Sequence, residues 1–85
     1  MERQLSIQSK KQLHRFCWQY LQIQPELDYP EDENLRNDAF QRALNARLFE
    51  ENAVEFKPPQ RYQLKVLKEL TRRIEESILD WEEEV

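Results

Sequence analysis

The sequence predicts an all-α fold, a small three-helix bundle formed by residues 1–85 as one domain. Three observations carry this expectation. No glycine occurs in the 85 residues, so the positive-φ turns of tight β-hairpins have no natural occupant. Apolar residues recur at i, i+3, i+4 spacing in three separate segments instead of alternating. The balance of 39% apolar and 35% charged residues is that of amphipathic helices, not of a disordered chain.

The first helix is expected over 9–24, where Leu13, Phe16, Cys17, Tyr20 and Leu21 share one face. Ser9 and Gln12 stand at capping-box spacing, and Leu5 near the same face allows an earlier start. Pro25 ends the helix. From Pro25 to Asn34 the chain reads as a polar loop with Leu27 and Tyr29 as anchors. The second helix is expected over 33–48, on Leu35, Ala39, Phe40, Ala43, Leu44 and Leu48, with Asp32 or Asn34 as its N-cap.

From Phe49 to Phe56 the helical period is lost, and Val54 and Phe56 alternate with acids, which predicts an extended connector. Pro58 and Pro59 reinforce it, because a residue before proline avoids the α region. The third helix is expected over 59–80, with Pro59 in its first turn. Tyr62, Val66, Leu67, Leu70, Ile74, Ile78 and Trp81 keep one face through it. Glu69–Arg73 and Arg72–Glu76 are i, i+4 pairs, each worth about 0.2–0.5 kcal/mol. The acidic tail 82–85 begins with three glutamates that oppose the helix dipole, so the helix is expected to fray there or the chain to continue.

Charge is laid out in blocks. Residues 1–24 are basic, 25–56 acidic, 57–73 basic again and 74–85 acidic, for a formal net charge of −4. Such alternation lets the helices steer one another, but it does not make a nucleic-acid protein by bulk charge. Without glycine there is no P-loop, dinucleotide fingerprint or nucleophile elbow. Cys17 is the only cysteine, which excludes an internal disulfide and fits a reducing compartment; the expected location is cytoplasmic. No apolar run approaches the ~20 residues of a membrane span, and Met1-Glu2-Arg3-Gln4 does not open a signal peptide.

No reaction centre can be assembled from these residues. His14 has no nameable nucleophile or co-ligand, and Cys17 lies on an apolar face as core filling. The acidic runs lack the glycine hinge of a calcium loop. The expected catalytic, cofactor-binding and metal residues are therefore none. What stands out is a basic stripe: Arg61, Lys65, Lys68 and Arg72 fall within about 60° of one another on a helix, opposite the face centred on Leu70. Such a stripe can bind RNA, an acidic protein patch, this chain's own acidic segment, or water alone. Because the aromatics fall on apolar faces, a protein partner is expected over nucleic acid. Tyr62 begins the same helix. Trp18 projects away from the Leu13 face, and Trp81 lies near the end of the third helix; each either closes the fold or grips a partner.

The segments Phe16-Cys17-Trp18-Gln19-Tyr20-Leu21, Lys57-Pro58-Pro59-Gln60-Arg61-Tyr62, Lys65-Val66-Leu67-Lys68-Glu69-Leu70 and Ile74-Glu75, with Leu35, Phe40 and Leu44 between them, give the chain a family likeness. Over residues 13–76 it resembles the N-terminal region of the eukaryotic elongation factor 2 lysine methyltransferases. The resemblance implies a noncatalytic helical domain attached to a seven-stranded catalytic domain that binds S-adenosylmethionine. None of that domain's cofactor-binding or catalytic residues has a counterpart here. The implied partners are the catalytic domain in cis and elongation factor 2, with no membrane. The residues expected to make contact are Trp18, Arg61, Tyr62, Lys65, Lys68, Arg72 and Trp81. The alternative expectation is a free-standing helical adaptor or small subunit whose apolar faces complete a partner's bundle.

Overall fold

A computed structural model describes residues 5–50 and 57–84. All regular structure among the described residues is helical, in the order α1 (Ile7–Leu21), α2 (Asp32–Leu35), α3 (Asp38–Leu48) and α4 (Gln60–Glu84). The all-α expectation holds. The connector expected over 49–56 falls, for 51–56, outside the described residues, as does Val85 at the end of the expected tail.

The core is drawn from the three predicted stripes. Leu13, Phe16, Cys17 and Tyr20 of α1 meet Phe40, Ala43, Leu44 and Leu48 of α3, with Leu35, Val66, Leu70 and the pre-helical Leu5 completing it. Phe16, Tyr20, Phe40 and Leu13 are fully buried, each contributing roughly 1.5–3 kcal/mol from apolar burial.

Local chemistry moves the helix ends. Ser6, not Ser9, caps α1, accepting from the Ser9 amide at 3.1 Å. Ser9 and Gln12 tie α1 to α2 instead. Ser9 Oγ donates to Asn34 Oδ1 at 2.6 Å, and Gln12 Oε1 accepts from Asn34 Nδ2 at 2.6 Å and from the Glu31 amide at 3.0 Å. Asn34 is thus a buried, hydrogen-bonded link rather than a helix cap. The segment expected as one helix over 33–48 is two, because Asn37 breaks it: its backbone is extended and its side chain accepts from the Phe40 amide at 3.1 Å, capping α3 afresh.

α1 ends at Leu21, four residues before Pro25. The Ile23 amide donates to the Tyr20 carbonyl and the Gln24 amide to the Gln19 carbonyl, the paired bonds of a Schellman cap. The left-handed position of that cap, which usually holds glycine, is occupied by Ile23 at φ 54°. The following loop lies along α1, held by Gln19, which accepts from the Asp28 amide at 2.7 Å and donates to its carboxylate at 2.8 Å.

α4 begins one residue beyond Pro59, whose carbonyl accepts from the Gln63 amide at 3.0 Å. It then runs through Glu84 and takes in the acidic residues expected to lie in a tail. No glycine or proline follows Pro59, and Glu, Leu, Lys and Arg are good helix formers. The dipole penalty at the last turn does not outweigh that propensity. α4 has 25 residues against the 15 of α1 and the 11 of α3, and its predicted single face is covered along one line only. Val66 and Leu70 are buried and Tyr62 and Ile74 half-buried, while Leu67, Ile78 and Trp81 are exposed. Ser77 is fully buried, and its carbonyl accepts from Arg36 Nη1 at 3.4 Å.

Candidate functional site

The first four turns of α4 and the loop after α1 enclose a cleft. Leu27 and Tyr29 form one wall, and Tyr62, Lys65, Lys68 and Arg72 line the side that α4 supplies. Helical spacing alone aligns the three cations. The loop wall is set by packing: the Tyr29 ring lies 5.1 Å from that of Phe16, and the Arg73 guanidinium sits over it at 4.3 Å. Tyr62 closes one end. Its ring packs 5.6 Å from Tyr20, and its hydroxyl donates to the Gln24 carbonyl at 2.8 Å. Burial pushes the phenols of Tyr29 and Tyr62 above their ordinary range, and for Tyr29 the nearby Glu69 carboxylate adds to the rise. Both therefore present neutral rings and hydroxyls at neutral pH.

The cations around the cleft divide into two groups. Arg72 is committed within the helix, bonded to Glu69 and to Glu76 at 2.7 Å, and Arg73 reaches Glu69 at 3.0 Å. Hydrogen bonds from Arg72 and then Arg73 lower the Glu69 carboxyl to about 2. Arg61, Lys65 and Lys68 make no ion pair among the described residues. Together with Leu64 they also line a shallower depression beside the cleft. The site is a short basic ridge next to an apolar, tyrosine-lined trough. Its lining sets exposed cations beside aromatic and apolar surface, and its Glu69 carboxylate is taken up by Arg72 and Arg73.

Of the residues expected to make contact, Tyr62, Lys65, Lys68 and Arg72 meet at this cleft, with Arg61 one turn away. The tryptophans do not join them. Trp81 lies 16 residues beyond Lys65, about 24 Å along the helix. It is 51% exposed, with the Arg36 guanidinium 5.1 Å from its ring. Trp18 stands on the outer side of α1 at 57% exposure. His14 is exposed and accepts through Nδ1 from Arg47 at 3.0 Å. Cys17 is buried. Among the described residues no three His, Cys, Asp or Glu are grouped to hold a metal, and no helix is long and apolar enough to cross a membrane.

Two features escape sequence reasoning. Tyr29 and Leu27 are legible only as loop anchors, with nothing to place them against α4. The line Leu64, Leu67, Ile78 and Trp81 is exposed, although spacing alone assigns its last three members to the core face. Its signal is present in the alternating three- and four-residue steps from Leu64 through Leu67, Thr71, Ile74 and Ile78 to Trp81.

No family model matches the chain, and no solved structure matches it. Over 71 residues, 84% of its length, it is 55% identical to Protein-lysine N-methyltransferase EFM3 of Chaetomium thermophilum. The chain spans 21% of that protein. The resemblance to the protein-lysine methyltransferases is thus borne out at the level of sequence, across most of this chain and about a fifth of the relative.

Proposed function

We propose that this chain is the noncatalytic N-terminal helical domain of an S-adenosylmethionine-dependent protein-lysine methyltransferase acting on elongation factor 2, and that it helps to receive the protein substrate. The basic ridge carries the reading: Arg61, Lys65 and Lys68 are exposed along one side of α4, without an ion pair among the described residues, beside a trough lined by Tyr29 and Tyr62. Uncommitted cations beside an apolar trough favour an acidic protein surface, by steering its approach more than by adding affinity. Similarity to a protein-lysine methyltransferase supplies the class of enzyme, and the Pro-Pro-x-x-Tyr entry with its following helix supplies the expected target. S-adenosylmethionine and the methyl-transfer machinery belong to the catalytic domain, which this domain contacts in cis.

The test is methylation of elongation factor 2 at limiting substrate by a full-length enzyme of this type, compared with the same enzyme lacking this region or carrying Lys65→Glu. The expected result is a kcat/KM loss of about threefold or more for Lys65→Glu, with kcat retained and a reduced salt dependence. Unchanged kcat/KM in both variants removes the substrate role.

A further inference from the structure

α4 carries a second surface, which adjoins the basic ridge and shares Arg61, Leu64 and Lys68 with it. Leu64, Leu67, Thr71, Ile74, Ile78 and Trp81 follow one another at steps of three and four residues, the a and d spacing of a coiled-coil seam. Leu64, Leu67, Ile78 and Trp81 are 38–51% exposed. An apolar line of this length on a small domain marks an interaction surface. Leu70 and Ser77 flank one side and are buried in the domain's own core. The other flank is open and carries Arg61, Lys68, Glu75 and Glu82 at seven-residue intervals. These four are exposed, and none makes an ion pair among the described residues.

The order of those charges selects the occupant. Two basic residues are followed by two acidic ones, a pattern that complements itself only when reversed. We propose that α4 pairs in antiparallel fashion with α4 of a second copy of this chain, about a two-fold axis near Arg72. Leu64 then meets the partner's Trp81, Leu67 meets the partner's Ile78, and Thr71 meets the partner's Ile74. On the open flank, Arg61 faces the partner's Glu82 and Lys68 faces the partner's Glu75, and the symmetry repeats both pairs. A seven-residue slip sets Lys68 against the partner's Lys68 in one direction, or Glu75 against the partner's Glu75 in the other. A parallel pairing turns this open flank of each helix towards the partner's Leu70 and Ser77 flank, which is buried in its own domain and offers the charges no counterpart. Only one register satisfies all four charges, and it is isologous, the commonest symmetry of soluble assemblies. The groove between α3 and α4, lined by Gln41, Asn45 and Phe49 beside Leu67, Thr71 and Ile74, gives the second α4 a seat on the other side of the seam.

Sedimentation equilibrium of the chain from micromolar to millimolar concentration tests this, with helix content checked by circular dichroism. The expected result is a reversible monomer–dimer equilibrium. Lys68→Glu or Glu75→Lys alone weakens it about tenfold, because each change turns two attractive pairs into repulsive ones. The double variant K68E/E75K exchanges the charges, keeps every pair opposite and restores the dimer to within about twofold. A chain that stays monomeric throughout, single reversals without effect, or a double variant that fails to recover would each overturn the proposal. Lys68 also belongs to the basic ridge, but the readout is self-association of the chain with no elongation factor 2 present, so the outcome is distinguished from that of the substrate role.

Discussion

Tyr20 and Tyr62 pack ring to ring at 5.6 Å, yet their hydroxyls have opposite fates. Tyr62 donates to the Gln24 carbonyl at 2.8 Å, joining the start of α4 to the end of α1. Tyr20 is fully buried, and its hydroxyl has no hydrogen-bond partner among the described residues. Burial, then the neighbouring Tyr62, raises the Tyr20 phenol above its ordinary range, so it stays protonated and unsatisfied.

The two Tyr→Phe substitutions are therefore expected to act with opposite sign. Tyr20→Phe removes an unsatisfied buried hydroxyl while keeping the ring against Phe49, 5.5 Å away, and raises stability by about 1 kcal/mol. Tyr62→Phe leaves the Gln24 carbonyl without its donor and lowers stability by about 1 kcal/mol. Urea midpoints at unchanged slope check both. Two losses of similar size would mean that Tyr20 has a partner.

Asn34 is the polar pin of the α1–α2 contact, and both ends of its amide are used. Asn34→Ala is expected to cost roughly 1–3 kcal/mol, because the Ser9 hydroxyl loses its acceptor and Gln12 one of its two donors in a part-buried setting. A double-mutant cycle with Gln12→Ala should return a coupling of about 1 kcal/mol. Additive losses would show that the short bond between them contributes nothing.

The sequence reveals most where a residue's neighbours lie on its own helix. The faces of α1 and α3 follow directly from spacing, except that Leu21, at the last position of α1, is exposed, and so does the alignment of Lys65, Lys68 and Arg72. It reveals least where the answer depends on another element's reach. Leu67, Ile78 and Trp81 have the period of the core face but are exposed, because the rest of the domain covers α4 along the line of Val66, Leu70 and Ser77 and leaves the adjacent line open. The Asn37 break is a contest between a helical stripe and a capping amide, and local periodicity does not show which wins. Likewise, half of the candidate cleft is loop, and Tyr29 is placed there by contacts with Phe16 and Arg73 that lie far off in sequence.

Glu69 predicts a pH dependence. Arg72, and then Arg73, hold its carboxyl at about 2 against 4.5 in the unfolded chain. Folding therefore favours the ionised form. Its contribution is complete above pH 4.5 and is lost as pH falls from 4.5 towards 2. Glu69→Gln should lower the urea midpoint slightly at neutral pH, since the network is solvent-exposed and screened. The difference from the wild type should shrink through that window and vanish near its lower edge. A difference that stays constant down to about pH 2 would show that Glu69 contributes by packing rather than by charge.

Ile23 bears the cost of a glycine-free sequence. The Schellman cap closing α1 needs one residue at positive φ, and Ile23 supplies it at 54°. In that region a β-carbon crowds the following carbonyl, at about 1–2 kcal/mol for an ordinary residue, and β-branching adds to the strain. Ile23 is 47% exposed, so its side chain recovers little of that by burial. Ile23→Gly removes the clash but adds roughly 0.5–1 kcal/mol of chain entropy to the unfolded state. Ile23→Asn removes most of the clash without that penalty. Both Ile23→Asn and Ile23→Gly are expected to exceed the wild type in stability, by up to about 1 kcal/mol. Ile23→Val, which keeps the β-branch, should match the wild type. Thermal midpoints of the three variants decide it: a loss with glycine and asparagine alike would mean that the Ile23 side chain, not the conformation of its backbone, is what the α1 terminus requires.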